Sequence, residues 1–234
     1  MDITPPRLSR REAAKGERRA RIVDAAWELL REGGVDDLSV KAVAARAGVS
    51  LSTLYNLFAS KDAILTGVYE QDLLHYAALV AEARSVDSLD RIFDAIDISA
   101  GLYAADPNFY RAIMRRDTGA APNPARDAWL KHPRMFWHNL LAKAVEEGFL
   151  RPAVDTAVLN VLVTQVLSGV VSDWVLGRIS EARFAAEAKF ALASLLSAFA
   201  RGEASLRLRK MIASQHRQLS TEPRAAGLRE EAAA

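Results

Sequence analysis

The chain has 234 residues, half of them hydrophobic, enough to bury one large core or two modest ones. It contains no cysteine, which excludes disulfides and thiolate metal sites and fits a reducing, cytoplasmic setting. The net charge of +2 is unevenly spread: residues 1–21 hold 7 basic and 3 acidic side chains, residues 22–200 hold 17 and 22, and residues 201–234 hold 7 and 4. A basic N-terminus beside an acidic body suits a polyanion contacted at one end, or is simply a solvated tail.

Residues 1–15, with Pro5, Pro6, Arg7, Arg10 and Arg11, read as a flexible basic arm, and the polar N-terminus does not read as a secretory signal. A first helix is expected over residues 16–32, where Ile22, Ala25, Ala26, Leu29 and Leu30 recur on one face before Gly33-Gly34. Three Ser-capped starts then follow within 22 residues, at Ser39, Ser50 and Ser60. Each has an apolar residue before the cap and another inside the helix: Leu38 with Val43, Val49 with Leu54, Ala59 with Ile64. They predict a second helix over 40–47, a third over 51–58 and a fourth over 61–84, with Gly48 in the turn between the second and third. A third helix of about eight residues cannot stand alone and must be held by its neighbours, the arrangement by which helix-turn-helix proteins present a reader to DNA. Leu54 and Phe58 point inward; Leu51, Ser52, Tyr55 and Asn56 are left outward.

The remainder reads as helices throughout. The fifth covers 88–104 with Asp90 and Asp94 on a solvated side, and the sixth 107–116. Residues 117–126 read as a loop. Pro133 interrupts or ends a short piece containing Trp129, and a seventh helix covers 134–147. An eighth, 155–177, is apolar nearly all round and reads as a core helix in preference to a membrane span. A ninth, 181–209, carries a seam of Phe184, Ala188, Ala191, Leu195 and Ala198. Two such helices exceed what one chain can cover, so a two-fold dimer built from helices eight and nine is expected, with Val166, Val170, Trp174 and that seam at the interface. Residues 214–234 read as a flexible tail.

Ser39-Val40, Val43-Ala44, Ala47-Gly48-Val49-Ser50, Thr53-Leu54-Tyr55, Phe58 and Ser60-Lys61-Asp62 together resemble the DNA-binding domain of the tetracycline-repressor (TetR) family. Arg21-Ile22-Val23-Asp24-Ala25-Ala26 is similar to that family's first helix, and the resemblance spans roughly residues 18–70. It implies an all-α protein. A helix-turn-helix domain over 16–62 is followed, through helix four, by an effector-binding and dimerisation domain over 63–213. It further implies a homodimeric regulator that represses from a palindromic operator and is released by a small effector. The phosphate-contacting Tyr and Lys of the family fall on Tyr55 and Lys61; a cation at Lys61, on a helix N-terminus, also sits more easily opposite an anion.

Ser39, Lys41, Ser50, Ser52 and Thr53 complete the candidate DNA surface as backbone-positioning groups. Leu51 packs on a thymine methyl or is merely tolerated; Asn56 pairs with adenine or only solvates. Arg7, Arg10 and Arg11 enter a minor groove or stay disordered. The resemblance also implies a small-molecule pocket among helices four to eight, for which Phe93, Ile96, Tyr103, Phe109, Trp137, Leu141, Thr164, Gln165 and Ser168 are candidates, suited to a largely apolar effector. Thr164, Gln165 and Ser168 equally well bond within the helix or across a dimer. Arg111, Arg115 and Arg116 meet an anionic group or face solvent. One alternative keeps the reader and leaves the C-terminal domain only to dimerise or dock a partner protein; an enzyme is the remote alternative. No metal site, cofactor or catalytic motif is expected: the four histidines have no ligand spacing, and the phosphate, dinucleotide and nucleophile-elbow motifs are missing.

Overall fold

A computed structural model describes residues 10–114, 124–153 and 155–221. The described residues form ten helices: α1 (Arg10–Asp37), α2 (Val40–Arg46), α3 (Leu51–Leu57), α4 (Lys61–Glu82), α5 (Ser88–Ala105), α6 (Pro107–Met114), α7 (Pro124–Glu146), α8 (Thr156–Val175), α9 (Glu181–Ser197) and α10 (Gly202–Thr221). The chain divides into two compact units, Met1–Asp72 and Leu73–Ala234, with the division inside α4.

The first unit is built from one face of α1 closed by the three short turns that follow. Ile22, Ala26 and Leu30 of α1 are almost wholly buried, with Leu54 and Phe58 of the α3 region and Ile64 and Val68 of α4. Each such large side chain contributes about 1.5–3 kcal/mol by leaving water, and this burial is what holds two seven-residue helices that would otherwise melt. Arg46 at the end of α2 bridges to Glu28 and Glu32 of α1 at 3.1 and 2.8 Å. It holds the Glu32 carboxyl below its usual range, chiefly through that hydrogen bond. Both pairs are solvent-exposed, so they orient α2 more than they stabilise it.

The second unit packs α5, α7, α8, α9 and α10 around a common core that includes Leu89, Ile92, Ile96, Leu141, Val163, Leu192 and Leu196. The expected ninth helix is two helices. The backbone of Phe149–Arg151 pairs with Phe199–Arg201 (Arg151 N–H to the Phe199 carbonyl at 2.9 Å, Arg201 N–H to the Phe149 carbonyl at 3.0 Å), and Gly202 takes φ 52°. α10 then folds back along α9, bringing the Leu219 carbonyl to Arg183. Five further expectations are corrected by the described residues. Residues 10–15 are the first turns of α1 and not arm. Residues 214–221 are helix and not tail. Pro133 lies inside α7 without ending it. Asp90, expected to be solvated, pairs with Arg207, and Asp94 accepts from Ser85 at 2.6 Å. Residues 124–126, the end of the loop expected over 117–126, open α7. Pro5, Pro6, Arg7, Arg115, Arg116, residues 117–123 of that loop and the tail beyond 221 lie outside the described residues, as does the side chain of Trp129.

α8 is the one helix among the described residues that is long and apolar enough to cross a membrane by length and composition. One of its faces, with Leu159, Val163, Thr164, Leu167 and Trp174, is buried in the second unit's core.

Candidate functional site

The α2–turn–α3 segment is fixed by its own backbone chemistry. Gly48, at φ 64°, ends α2: its N–H reaches the Ala45 carbonyl at 3.2 Å, and the Val49 N–H reaches Ala44 at 3.0 Å. This paired reverse bonding is the Schellman end, and only glycine adopts that φ without strain. The three caps are all present. Ser39 accepts from the Ala42 N–H at 3.0 Å, Ser50 from Thr53 at 3.1 Å, and Ser60 from Ala63 at 3.1 Å. The Ser50 hydroxyl also meets those of Ser52 and Thr53, at 2.9 and 2.8 Å. The hydroxyls of Ser52 and Thr53, both expected at the DNA, are therefore tied to the cap at Ser50.

Leu54 and Phe58 anchor α3 at 0% and 1% exposure, while Leu51 and Tyr55 stand out at 43% and 55%. Ser52 and Asn56 are exposed beside them, so four neighbouring residues of one short helix form an outward face with no competing role in the core. Ser39 and Lys41 are exposed at the start of α2, Ser50 and Thr53 flank the α3 N-terminus, and Lys61 opens α4 half-buried. The structure thus gathers all nine sequence-derived candidates on the α2–α3–α4 segment. It adds one residue that sequence reasoning passed over. Arg19 of α1 donates to the Leu57 carbonyl at 3.0 Å and lays its guanidinium over the Phe58 ring at 4.1 Å, capping the C-terminal end of α3. Its place on the same helical face as Ile22 and Ala26 was the available signal.

In the second unit the expected effector residues do not form a single set. Phe93, Ile96 and Leu141 belong to the main core, with Trp137 packed partly buried against it. Tyr103 and Phe109 belong to a separate aromatic cluster: Tyr103 stacks on Trp174 at 4.5 Å and meets Tyr110 and Phe184, both at 5.1 Å, and Tyr110 meets Phe109 edge-on. Arg111 lies over Trp174 and pairs with Glu181 at 3.4 Å, and the Trp174 indole N–H donates to the same Glu181 at 3.1 Å. That arrangement corrects the solvent-facing reading of Arg111. Thr164 is buried and donates to the Asn160 carbonyl one turn back, so its hydroxyl is satisfied within α8. Gln165 is exposed on the side of α8 opposite the buried face that holds Thr164, and apart from the other effector candidates; Ser168 is half-buried between the two faces. Trp174, Phe184 and Ala188, expected between subunits, are buried inside this chain instead, whereas Val166 and Ala198 are exposed and Val170, Ala191 and Leu195 are half-buried.

Two buried polar centres were not anticipated. The Tyr76 phenol donates to the Ala95 carbonyl at 2.9 Å beside Ser99, and burial pushes its ionisation well above the ordinary range, so it remains a neutral donor. Asn160 donates from its amide nitrogen to the Arg134 carbonyl at 2.8 Å, while its Oδ1 is buried with no hydrogen-bond partner among the described residues. An unmet buried acceptor is costly, and a donor supplied by a ligand relieves that cost. Among the described residues no cluster of His, Cys, Asp and Glu is arranged to hold a metal.

A sequence model of bacterial regulatory proteins of the tetR family matches residues 22–68, which covers α2, α3 and the packed half of α1. The chain is 26% identical over 177 residues to the HTH-type transcriptional regulator UidR of Escherichia coli, covering 74% of this chain and 87% of that protein. It is 26% identical over 143 residues to the transcriptional repressor KstR2 of Mycobacterium tuberculosis, covering 59% and 72%. Among solved structures, the fold resembles FadR of Thermus thermophilus, a repressor crystallised with lauroyl-CoA, at a TM-score of 0.64 and 22% identity over 79% of this chain and 96% of that one. It also resembles RolR in complex with resorcinol, at a TM-score of 0.63 and 14% identity over 86% and 95%.

Proposed function

Since the chain belongs to the TetR family of bacterial transcriptional regulators, we propose that it is a homodimeric, cytoplasmic repressor that binds a palindromic operator through α3 and is released by a small, largely apolar effector held in the second unit. The observation that carries the DNA-binding half is the exposed Leu51, Ser52, Tyr55, Asn56 face on a helix anchored by Leu54 and Phe58 and capped by Ser50. Ser39, Lys41, Ser50, Ser52, Thr53, Tyr55 and Lys61 position the duplex at its phosphates; Leu51 and Asn56 address base edges. Two readers related by a two-fold axis address half-sites about 34–36 Å apart. If each subunit neutralises about four phosphates, log K falls with log salt at a slope near −7.

The effector half rests on the two ligand-bound fold relatives, on the aromatic cluster around Tyr103 and Trp174, and on the unmet Oδ1 of Asn160. Release follows if the effector favours a subunit arrangement in which the two readers no longer match the groove; a preference of a few kcal/mol is enough. A second reading, in which the second unit only dimerises, is favoured by the complete burial of Ile96 and Leu141 in ordinary core packing. Genomic-fragment selection with the purified protein tests the first half. Enrichment of a palindrome bound by a dimer supports it, and no enrichment at low salt overturns it. A thermal-shift screen with long-chain acyl-CoAs and small phenols, followed by operator release, separates the two readings of the second half. Stabilisation coupled to release supports the repressor, and a panel with no stabilising compound favours the dimerisation module.

A further inference from the structure

α1 begins about three turns before the core of the first unit. Residues 10–21 are helical, yet the first wholly buried position is Ile22. This leading segment carries Arg10, Arg11, Lys15, Arg18, Arg19 and Arg21 against Glu12 and Glu17. At about 100° per residue all six cations fall within one half of the helix circumference, and the two carboxylates, Gly16, Ala13 and Ala20 lie in the other half. The cationic half is also the side on which Ile22, Ala25, Ala26 and Leu29 sit further along. The stripe that buries the core therefore continues past the core as a stripe of charge. Arg10, Arg11, Lys15 and Arg21 are exposed. Arg19, on the same stripe, touches the C-terminal end of α3 through the Leu57 carbonyl and the Phe58 ring. The charged face is thereby continuous with the reader helix.

Such a stripe is poorly placed for the helix itself. Arg10 and Arg11 occupy the first turn, where the partial positive charge of the helix end disfavours cations, and six like charges on one side repel. An anion facing them removes both penalties. From Arg19 to Arg10 the helix rises about 14 Å, equivalent to about four phosphates of axial advance on one DNA strand. We infer that the N-terminal extension of α1 is a rigid phosphate-binding rail, engaging the duplex backbone beside the groove occupied by α3. This rests on the DNA-binding reading of α3 and adds a second, sequence-independent contact to it; residues 10–15 act as an ordered helix and not as an unstructured arm.

The test uses the full-length protein and a random-sequence duplex of about four helical turns, with binding followed as a function of salt. The triple variant Arg10→Gln, Arg11→Gln, Lys15→Gln is expected to bind more weakly and to flatten the log K against log salt slope by about 0.9 for each lost phosphate, so by two or more per subunit. A slope within one unit of wild type overturns the rail. Two neutral changes at Gly16, where an added Cβ meets nothing within 4 Å, test its rigidity. Gly16→Ala is expected to bind at least as tightly as wild type, and Gly16→Pro several-fold more weakly with all charges retained. Equal affinity of the two would show that charge alone matters and would overturn the ordered helix. Failure of the wild-type protein to bind any duplex would instead remove the DNA-binding reading itself. Circular dichroism and thermal unfolding identify any variant that has lost the fold.

Discussion

At the scale of single residues, Ser50 and Tyr55 separate two functions that sit five positions apart. Ser50 holds the α3 N-terminus through the Thr53 N–H and orders the hydroxyls of Ser52 and Thr53. Ser50→Ala is expected to cost about 1 kcal/mol of stability, the usual value of a lost cap, and to weaken DNA binding. Tyr55 is half exposed, so Tyr55→Phe is expected to leave the melting temperature unchanged and to weaken DNA binding several-fold without altering base preference. Unfolding curves and mobility shifts on both variants check the division; equal thermal loss in the two would contradict it. Gly67 offers a third residue-level prediction. A Cβ there would stand 2.9 Å from Val23 Cγ2 and 3.5 Å from Phe58 Cε1. Valine is stiff and the contact is buried, so overpacking of about 1–3 kcal/mol outweighs the helix-propensity gain of at most about 1 kcal/mol. Gly67→Ala is expected to lower the melting temperature, and a rise would show that α1 and α4 can part without cost. These positions were unequally legible in the sequence. The caps were readable, because the chemistry of Ser39, Ser50 and Ser60 acts within four residues. The tight approach at Gly67 was not, because it depends on two helices meeting in space.

At the scale of elements, the C-terminal hairpin explains most of what the sequence concealed. Phe184, Ala188, Ala191, Leu195 and Ala198 repeat at bundle spacing, and nothing in that repeat marks the break before Gly202. The break is imposed by the Phe149–Arg151 backbone, which pairs with Phe199–Arg201 across 50 residues of chain. α10 is then secured by Arg207. Its guanidinium reaches Asp87 at 2.6 Å, also meets Asp90, and lies 5.5 Å over the Phe149 ring, tying α10 to the N-terminus of α5. The Arg207 hydrogen bond holds the Asp87 carboxyl below its ordinary range, helped by the backbone N–H groups of Asp90 and Leu89. A carboxyl whose folded value lies below its unfolded value of about 3.9 stabilises fully above that value and loses the contribution as pH falls through the folded one. Arg207→Gln is therefore expected to destabilise the protein by about 1.5–3 kcal/mol at pH 7, the range for hydrogen bonds to charged groups. The gap from wild type should close below about pH 4. Denaturant unfolding of both proteins across pH 2.5–7, in steps of about half a unit, is the measurement, since the closing of the gap marks Asp87 as the titrating partner. A gap constant with pH would assign the loss to packing of the Arg207 stem on Phe149.

At the scale of the whole molecule, periodicity announced that α8 and α9 bury more surface than an isolated bundle needs, but it could not say which face meets this chain and which meets another. Valine buried against a helix of the same chain and valine buried against a partner have the same sequence signature. Trp174 and Phe184, read as intersubunit, close the internal aromatic cluster with Tyr103. The face left over is Val158, Val161, Leu162, Gln165, Val166 and Gly169, an i, i+3, i+4, i+7, i+8, i+11 stripe. Its four large apolar members are 58%, 46%, 40% and 36% exposed. A contiguous apolar helix face of this kind suits the dimer proposed above, since a two-fold partner would supply an identical one. The double variant Leu162→Asp, Val166→Asp adds charge only to this exposed stripe. It is expected to yield a monomer by light scattering, to keep the helical content of wild type, and to lose operator affinity by two or more orders of magnitude, because each half-site is then bound alone. Trp174→Ala makes the opposite expectation concrete: its indole is fully buried beside Glu181 and Arg111, so the variant should lose about 3–5 kcal/mol of stability. Any dimerisation that survives should then be unaltered. If the charged α8 variant remained dimeric while Trp174→Ala dissociated without unfolding, the interface would lie on the aromatic cluster and the α8 stripe would have another occupant.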